Sequence, residues 1–597
     1  MAIERRLQAL LQRWVVALVA VLVILQSATA QAASPAPVAG RDGMVVTAHH
    51  LASEVGADIL RRGGNAVDAA VAVGYALAVV YPQAGNIGGG GFMTLRLADG
   101  RTTFLDFREK APLAATATMF QDAKGEVVPG LSTDSWKAIA VPGTVMGLEL
   151  ARVQYGTMSR AALMAPAIRL AREGFVLGQG DAAVMAAEGE RLAADPAIRR
   201  IFLPQGRPLT KGDRLVQRDL AATLSLISAK GPDAFYKGPI GAAIAEASRA
   251  GGGLITPEDF ARYSVRELAP IECDYRGYRV ISAPPPSSGG VAICQTLNIL
   301  EGYDLSAMGF RSAAETHVLV EALRRVFYDR NNKLGDPDFV ANPVAQLLDR
   351  TYATQLRASI DPARATPSSA LGPAAPAREG RNTTHYSVLD AKGTAVSVTY
   401  TLNDWFGAHR VAGRTGIVMN NEMDDFTAKV GAPNMFGLVQ GANNAIAPGK
   451  TPLSSMSPTI VTRDGKVALI IGSPGGSRII TITLQAILNM VDHGMDVQAA
   501  IDAPRIHMQW LPDEVFVEPF ALSPDTRRLL EQKGHKLSEE GVWGIAEGIV
   551  TGSPTLRSPA SSAAGRVLSL GEPPLAGATM FGAHDARQTG GSAEPVR

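Results

Sequence analysis

The chain has 597 residues, 46% hydrophobic and 19% charged, and its 57 Lys and Arg against 56 Asp and Glu leave a formal charge of +1. That is enough apolar chain for a large core, with too little compositional bias for a disordered chain, a coiled coil or collagen. An even charge balance argues against a nucleic-acid binder, and two cysteines, Cys273 and Cys294, make neither a disulfide scaffold nor a four-thiolate zinc site.

The first 33 residues read as an export signal. Arg5, Arg6 and Arg13 precede an apolar run over residues 15–25, and Ala28-Thr29-Ala30 and Ala30-Gln31-Ala32 offer small-residue cleavage sites. Eleven apolar residues are too few to span a bilayer. The segment removes three arginines and Glu4, so the chain from Ser34 carries a formal charge of −1. The expectation is an exported protein, periplasmic or secreted, with no membrane contact after signal removal.

Asn65, with Asp68 in the first turn, is placed to cap a buried helix over 66–80 that Pro82 ends. A glycine-rich turn at 85–91 leads into a strand at 92–97. Residues 146–357 carry mostly amphipathic helical pattern, broken by turns such as 284–290. Pro, Ala, Ser and Gly dominate 363–382, which reads as an exposed, mobile segment.

Beyond it the pattern turns to β. Residues 386–389, a turn at 390–393 and residues 394–402 predict a hairpin, with Val396, Val398, Tyr400 and Leu402 on one face and Ser397, Thr399, Thr401 and Asn403 on the other. The acids of 420–426 fall at the end of a predicted strand. A second hairpin spans 457–471, then runs through Gly472-Ser473-Pro474-Gly475-Gly476-Ser477 into a helical pattern from Ile479. Residues 551–575 read as a loose insertion, and no internal repeat is present.

Standard motifs fail: there is no G-x-S-x-G, no H-E-x-x-H and no paired C-x-x-C, so nothing points to a metal or a cofactor. Folding the first hairpin sets position 383 opposite 400 or 401, which brings Thr401 beside Thr383. No histidine is placed as an obvious base, but a threonine at a chain terminus carries its own, an α-amine of pKa about 7.7 to 8.0. That requires a cut after Asn382. Thr383-Thr384 also reads simply as a β-branched pair opening a strand. Gly475 and Gly476 before a helix could face an oxyanion or merely connect strand to helix. Arg108 with the acids near 422–425 could hold a zwitterion or form solvated surface charge, and Ser454-Ser455 could add hydroxyls or just a turn.

Taken together, GGNAVDAAVAVGYAL (63–77), GNIGGGGFM (85–93), DFREKAP (106–112), YRGYRV (275–280), PPPSSGG (284–290), TTHYSV (383–388), TYTLN (399–403), NNEMDDF (420–426), PLSSMSPTIV (452–461) and GSPGGSRII (472–480) resemble the γ-glutamyltranspeptidase (glutathione hydrolase) family of N-terminal-nucleophile hydrolases, from about residue 43 to 588. The resemblance implies an α+β fold, a four-layer αββα sandwich. It implies self-cleavage between Asn382 and Thr383 into a large subunit, 34–382, and a small one, 383–597, that remain associated. Thr383 would then be the nucleophile, oriented by Thr401, with the Gly475 and Gly476 amides as oxyanion donors. Arg108, Ser454 and Ser455 match positions that bind a donor α-carboxylate, and Asn403, Glu422 and Asp425 match those that bind its α-ammonium. The γ-glutamyl group of glutathione or a related amide would pass to water or to an amino acid or peptide.

Phe436 stands where many bacterial relatives carry a lid tyrosine. Two rival readings are a cephalosporin or glutaryl acylase on the same fold, against which Glu422 and Asp425 speak, and an uncut, inactive secreted binding homologue. Reduced thiols are the expectation for Cys273 and Cys294.

Overall fold

The computed structural model describes residues 34–372, 383–556 and 577–597. The export signal, the end of the segment before Thr383 and most of the insertion at 551–575 lie outside them.

Two seven-stranded sheets form the centre. In chain order the strands are β1 (Val38–Gly40), β2 (Gly43–Thr47), β3 (Gly90–Arg96), β4 (Thr102–Phe107), β5 (Arg266–Leu268), β6 (Ile271–Tyr275), β7 (Tyr278–Ser282), β8 (Thr384–Asp390), β9 (Ala395–Thr401), β10 (Thr459–Arg463), β11 (Lys466–Gly472), β12 (Glu547–Thr551), β13 (Met580–His584) and β14 (Ser592–Val596). The first sheet runs β14-β2-β8-β9-β3-β4-β5 and the second β1-β13-β12-β11-β10-β7-β6. Each sheet mixes strands from before and after residue 382, so the two parts of the chain share one core.

Helices cover both outer faces. α1 (His50–Arg61) and α2 (Ala66–Val80) pack on the first sheet, and α3 (Gly289–Leu300) and α4 (Ile479–Val491) on the second, giving the αββα order. Every residue of α2 is buried, as its unbroken apolar run predicts. The Asn65 carboxamide accepts from the Val67 and Asp68 amides, and Asp68 accepts from the Asn65 amide.

Alternation on β8 and β9 divides two environments. Tyr386, Val388, Val396, Val398 and Tyr400 face the helices, whereas Leu389 and Ala395 join Val46, Ile460 and Ile470 between the sheets. Nearer the start of β8 that inter-sheet layer turns polar. The His385 ring meets the hydroxyls of Thr399 at 2.8 Å and Ser387 at 3.1 Å, and the Ser387 hydroxyl donates to the Glu547 carbonyl. Buried polar groups are tolerated there because each finds a partner across the sheets.

Three expectations are corrected. Cys273 and Cys294 form a disulfide: β6 and α3 pack so that their Cα atoms lie 5.8 Å apart, a proximity invisible in a separation of 21 residues. The start of the segment read as mobile, 363–372, is anchored. Ser368 is fully buried, donating to the Trp510 carbonyl at 2.6 Å and accepting from Arg324 and from the Trp510 indole. The acids near 422 sit in a short 3-10 turn, Glu422–Asp425, and no strand immediately precedes it.

Candidate active site

The β8–β9 register pairs Thr384 with Tyr400, which sets Thr383 opposite Thr401 just beyond the end of the ladder. Their hydroxyls are 3.2 Å apart. The Thr401 hydroxyl also accepts from the Asn403 amide at 2.8 Å, so its oxygen is fixed before anything binds. Thr383 is 5% exposed and lines two spaces at once.

The glycine run before β3 holds this corner. A Cβ on Gly89 would lie 2.0 Å from the Thr401 carbonyl, so only glycine lets this turn rest directly on β9. The turn therefore packs on the hairpin bearing Thr383 as well as on the buried helix. Beyond β11, Gly475 (φ 139°) and Gly476 (φ 56°) lead into a 3-10 turn and then α4, and they border the same two spaces as Thr383. Phe436 is buried against Gly476, where a Cβ would meet its ring at 2.4 Å.

Opposite these, the smaller space, about 20 Å³, is walled by charge. The Arg108 guanidinium bonds Glu422 through one nitrogen and Asp425 through the other, and lies 3.9 Å from Glu109. All four side chains are almost wholly out of solvent. Burial alone would lower the Arg108 pKa, but the carboxylates of Glu422 and Asp425 more than compensate and hold it above the ordinary arginine range. Burial likewise pushes Glu422 and Asp425 upward and Glu109 to about 7. Asp424 points away, accepting from the Ser132 hydroxyl and the Met435 amide, with its pKa raised to about 7 by burial.

Asn403 donates to the Asn421 carbonyl at 3.2 Å. Ser454 and Ser455 complete the wall. The Ser454 carbonyl accepts from the amide and hydroxyl of Ser288, and the Ser455 hydroxyl accepts from Arg330 at 3.1 Å. The Pro-rich turn at 284–290 and the Ser-Ser loop are therefore cross-bonded into one support.

All the positions singled out from sequence, Arg108, Thr383, Thr401, Asn403, Glu422, Asp425, Ser454, Ser455, Gly475 and Gly476, meet in this corner. Sequence reasoning missed Glu109 and Arg330. Glu109 directly follows Arg108, and a charge pair inside a segment otherwise pinned to a strand end was its available signal. Arg330 lies on the helix Ala313–Lys333, which buries most of its charged side chains along with its apolar ones, so no apolar period marked it out.

The family model described as Gamma-glutamyltranspeptidase matches residues 52–565. The chain belongs to that family. It is 56% identical to the glutathione hydrolase proenzyme of Pseudomonas sp. (strain A14) over 563 residues, covering 94% of this chain and 96% of the relative. The glutathione hydrolase proenzyme of Escherichia coli (strain K12) is 51% identical over 518 residues, 86% and 89% of the two chains. Among solved structures, the cephalosporin acylase of Bacillus halodurans superposes with a TM-score of 0.79 at 28% identity, covering 94% and 97%.

Proposed function

We infer that the protein is an autoprocessed γ-glutamyltransferase and glutathione hydrolase in which Thr383 is the nucleophile. The observation that carries this reading is the Thr383–Thr401 hydroxyl pair at the start of β8, flanked by a glycine turn on one side and a buried cluster of opposite charges on the other.

In the precursor the Thr383 hydroxyl adds to the Asn382 carbonyl carbon. The peptide nitrogen leaves as the Thr383 amine, and water hydrolyses the resulting ester to free both the hydroxyl and a new carboxylate. The products are fragments 34–382 and 383–597, and their interleaving in both sheets supports continued association. The Thr383 amine can then take the hydroxyl proton as the oxygen attacks the γ-carbonyl of a donor. The Gly475 and Gly476 amides receive the oxyanion. On collapse the leaving amine takes the proton back, leaving a γ-glutamyl ester that water or an acceptor amine resolves.

Donor recognition follows from charge. Glu422 and Asp425 offer carboxylates to an α-ammonium, with Asn403 beside them, while Arg108, Ser454 and Ser455 offer donors to an α-carboxylate. The larger space beyond Thr383, about 880 Å³ and walled by Trp405, Trp543 and Met435, suits the leaving group and the incoming acceptor. The acylase reading is weaker because the glutathione hydrolase relatives are 56% and 51% identical and the cephalosporin acylase 28%; the charge of Glu422 and Asp425 does not exclude it, since both already have the Arg108 guanidinium as their cation.

The disulfide supports export to an oxidising compartment, periplasmic or extracellular. Among the described residues no helix is long and apolar enough to cross a membrane. A denaturing gel of the wild type and Thr383→Ala tests the reading: two fragments with glutathione turnover for the first, and one inactive full-length band for the second. A cleaved, active alanine variant would refute it.

A further inference from the structure

Glu109 takes no part in the scheme above, yet its side chain is fully buried. It does not border the smaller space but stands beside Glu422, which does. Gly90 leaves it room, since a Cβ there would lie 2.7 Å from Glu109 Oε2.

Three carboxyl groups, Glu109, Glu422 and Asp425, thus crowd the one guanidinium of Arg108. Asp425 has Arg108 on one oxygen and the Asn434 carboxamide nitrogen 3.5 Å from the other, and Glu422 Oε1 accepts from Arg108. Among the described residues no other group donates to Glu422 Oε2 or to either oxygen of Glu109. The Glu109 and Glu422 carboxyl groups are within hydrogen-bonding reach of each other.

The surrounding groups do not supply the missing donor. The Tyr236 and Tyr263 phenols, which face Glu109, donate to the Pro142 and Arg108 carbonyls. Lys110 lies 5.7 Å over the Tyr263 ring, Asp106 is bonded by Arg266, and Arg330 acts on Asp425 at longer range. Two buried carboxylates in contact repel, and their unpaired oxygens add a desolvation cost. A single proton between them relieves both, one acid donating and the other accepting. Burial raises both groups, Glu109 to about 7, so the pair keeps a proton at neutral pH.

We propose that Glu109 and Glu422 share one proton in the free enzyme, and that a donor α-ammonium arriving beside Glu422 displaces it to solvent. Glu109 is then a positioning residue that couples donor binding to proton release. This deepens the γ-glutamyl reading above and rests on it. Binding that expels a proton strengthens as pH rises.

Titration calorimetry of the mature enzyme at pH 7.5, in two buffers of different ionisation enthalpy, counts the protons released by L-glutamate and by glutarate, which keeps both carboxylates and lacks the ammonium. L-glutamate should release about one proton more than glutarate. Glu109→Gln, whose carboxamide still donates to Glu422 but has no proton to lose, should abolish that excess, and Glu109→Asp should retain it. In turnover of γ-glutamyl 4-nitroanilide the wild-type KM should fall as pH rises from 6.5 to 8, by up to about tenfold per unit, and that of Glu109→Gln should stay nearly level, while the pH dependence of kcat set by the Thr383 amine persists in both. No excess release from the wild type, which decides the matter even if Glu109→Gln does not fold, or an undiminished excess in Glu109→Gln, would overturn the proposal. A wild-type enzyme that neither bound L-glutamate nor turned over the anilide would instead overturn the γ-glutamyl reading itself.

Discussion

The Thr383 hydroxyl lies 3.2 Å from the hydroxyl of Thr401, which itself accepts a hydrogen bond from the Asn403 amide. Thr401 therefore presents an oxygen, held in place by that amide, beside the proposed nucleophile. Replacing it with valine removes the contact and leaves the Asn403 amide without its acceptor. Thr401→Val should slow both self-cleavage and turnover by about 100-fold, while Thr401→Ser stays within about tenfold of wild type. Timed denaturing gels and anilide release read the two effects.

Arg108 carries the charge balance of Glu109, Glu422 and Asp425. Arg108→Met leaves three buried carboxyl groups without their cation, which costs on the order of 3–5 kcal/mol. The expected result is a clearly lower Tm at pH 8, partly recovered toward pH 5.5 as those raised carboxyl groups take up protons. A pH-independent loss would contradict this account of the cluster.

Gly476 adopts a positive φ against the Phe436 ring. Gly476→Ala pushes that turn away from Thr383 and should lower kcat by about 100-fold or more, as the loss of an oxyanion donor does. Adding Phe436→Leu makes room for the methyl group and should recover part of the loss. Failure of the second change to help would place the fault in the backbone strain alone.

His385 is enclosed between the sheets, and burial pushes its pKa down to about 3. The unfolded chain takes up a proton near pH 6.5 that the folded chain refuses. The stability this site supports is thus whole above pH 6.5 and falls as pH drops toward 3, by about 1.4 kcal/mol per unit. Between pH 7 and 5 the Tm of His385→Gln should fall less steeply than that of the wild type.

The Cys273–Cys294 bond closes a loop of 21 residues between β6 and α3. Cys273→Ser with Cys294→Ser should cost about 3 kcal/mol, seen as a lower Tm that reductant no longer changes. An equal response to reductant in both proteins would show that the bond contributes nothing.

The parts legible in the sequence were those set by local rules. The buried helix 66–80 announced itself by a capped apolar run, and the hairpin pattern of β8 and β9 placed Thr383 opposite residue 400 or 401, between which the structural register decides for Thr401. The remainder depends on packing between distant segments. Arg108 meets Glu422 across 314 residues, and Arg330 meets Ser455 across 125, so no spacing rule relates them. The disulfide escaped for the same reason. Ser368 was misread because composition marks a segment as polar without showing that one hydroxyl fills a buried notch between Arg324 and Trp510.

The most direct measurement is the intact mass of the purified protein, alone and after acid quenching during turnover of a γ-glutamyl anilide. A fragment of 383–597 that gains a single γ-glutamyl group, mapped by peptide fragmentation to Thr383, is the predicted result. An uncut chain, or an adduct on any other residue, would contradict it.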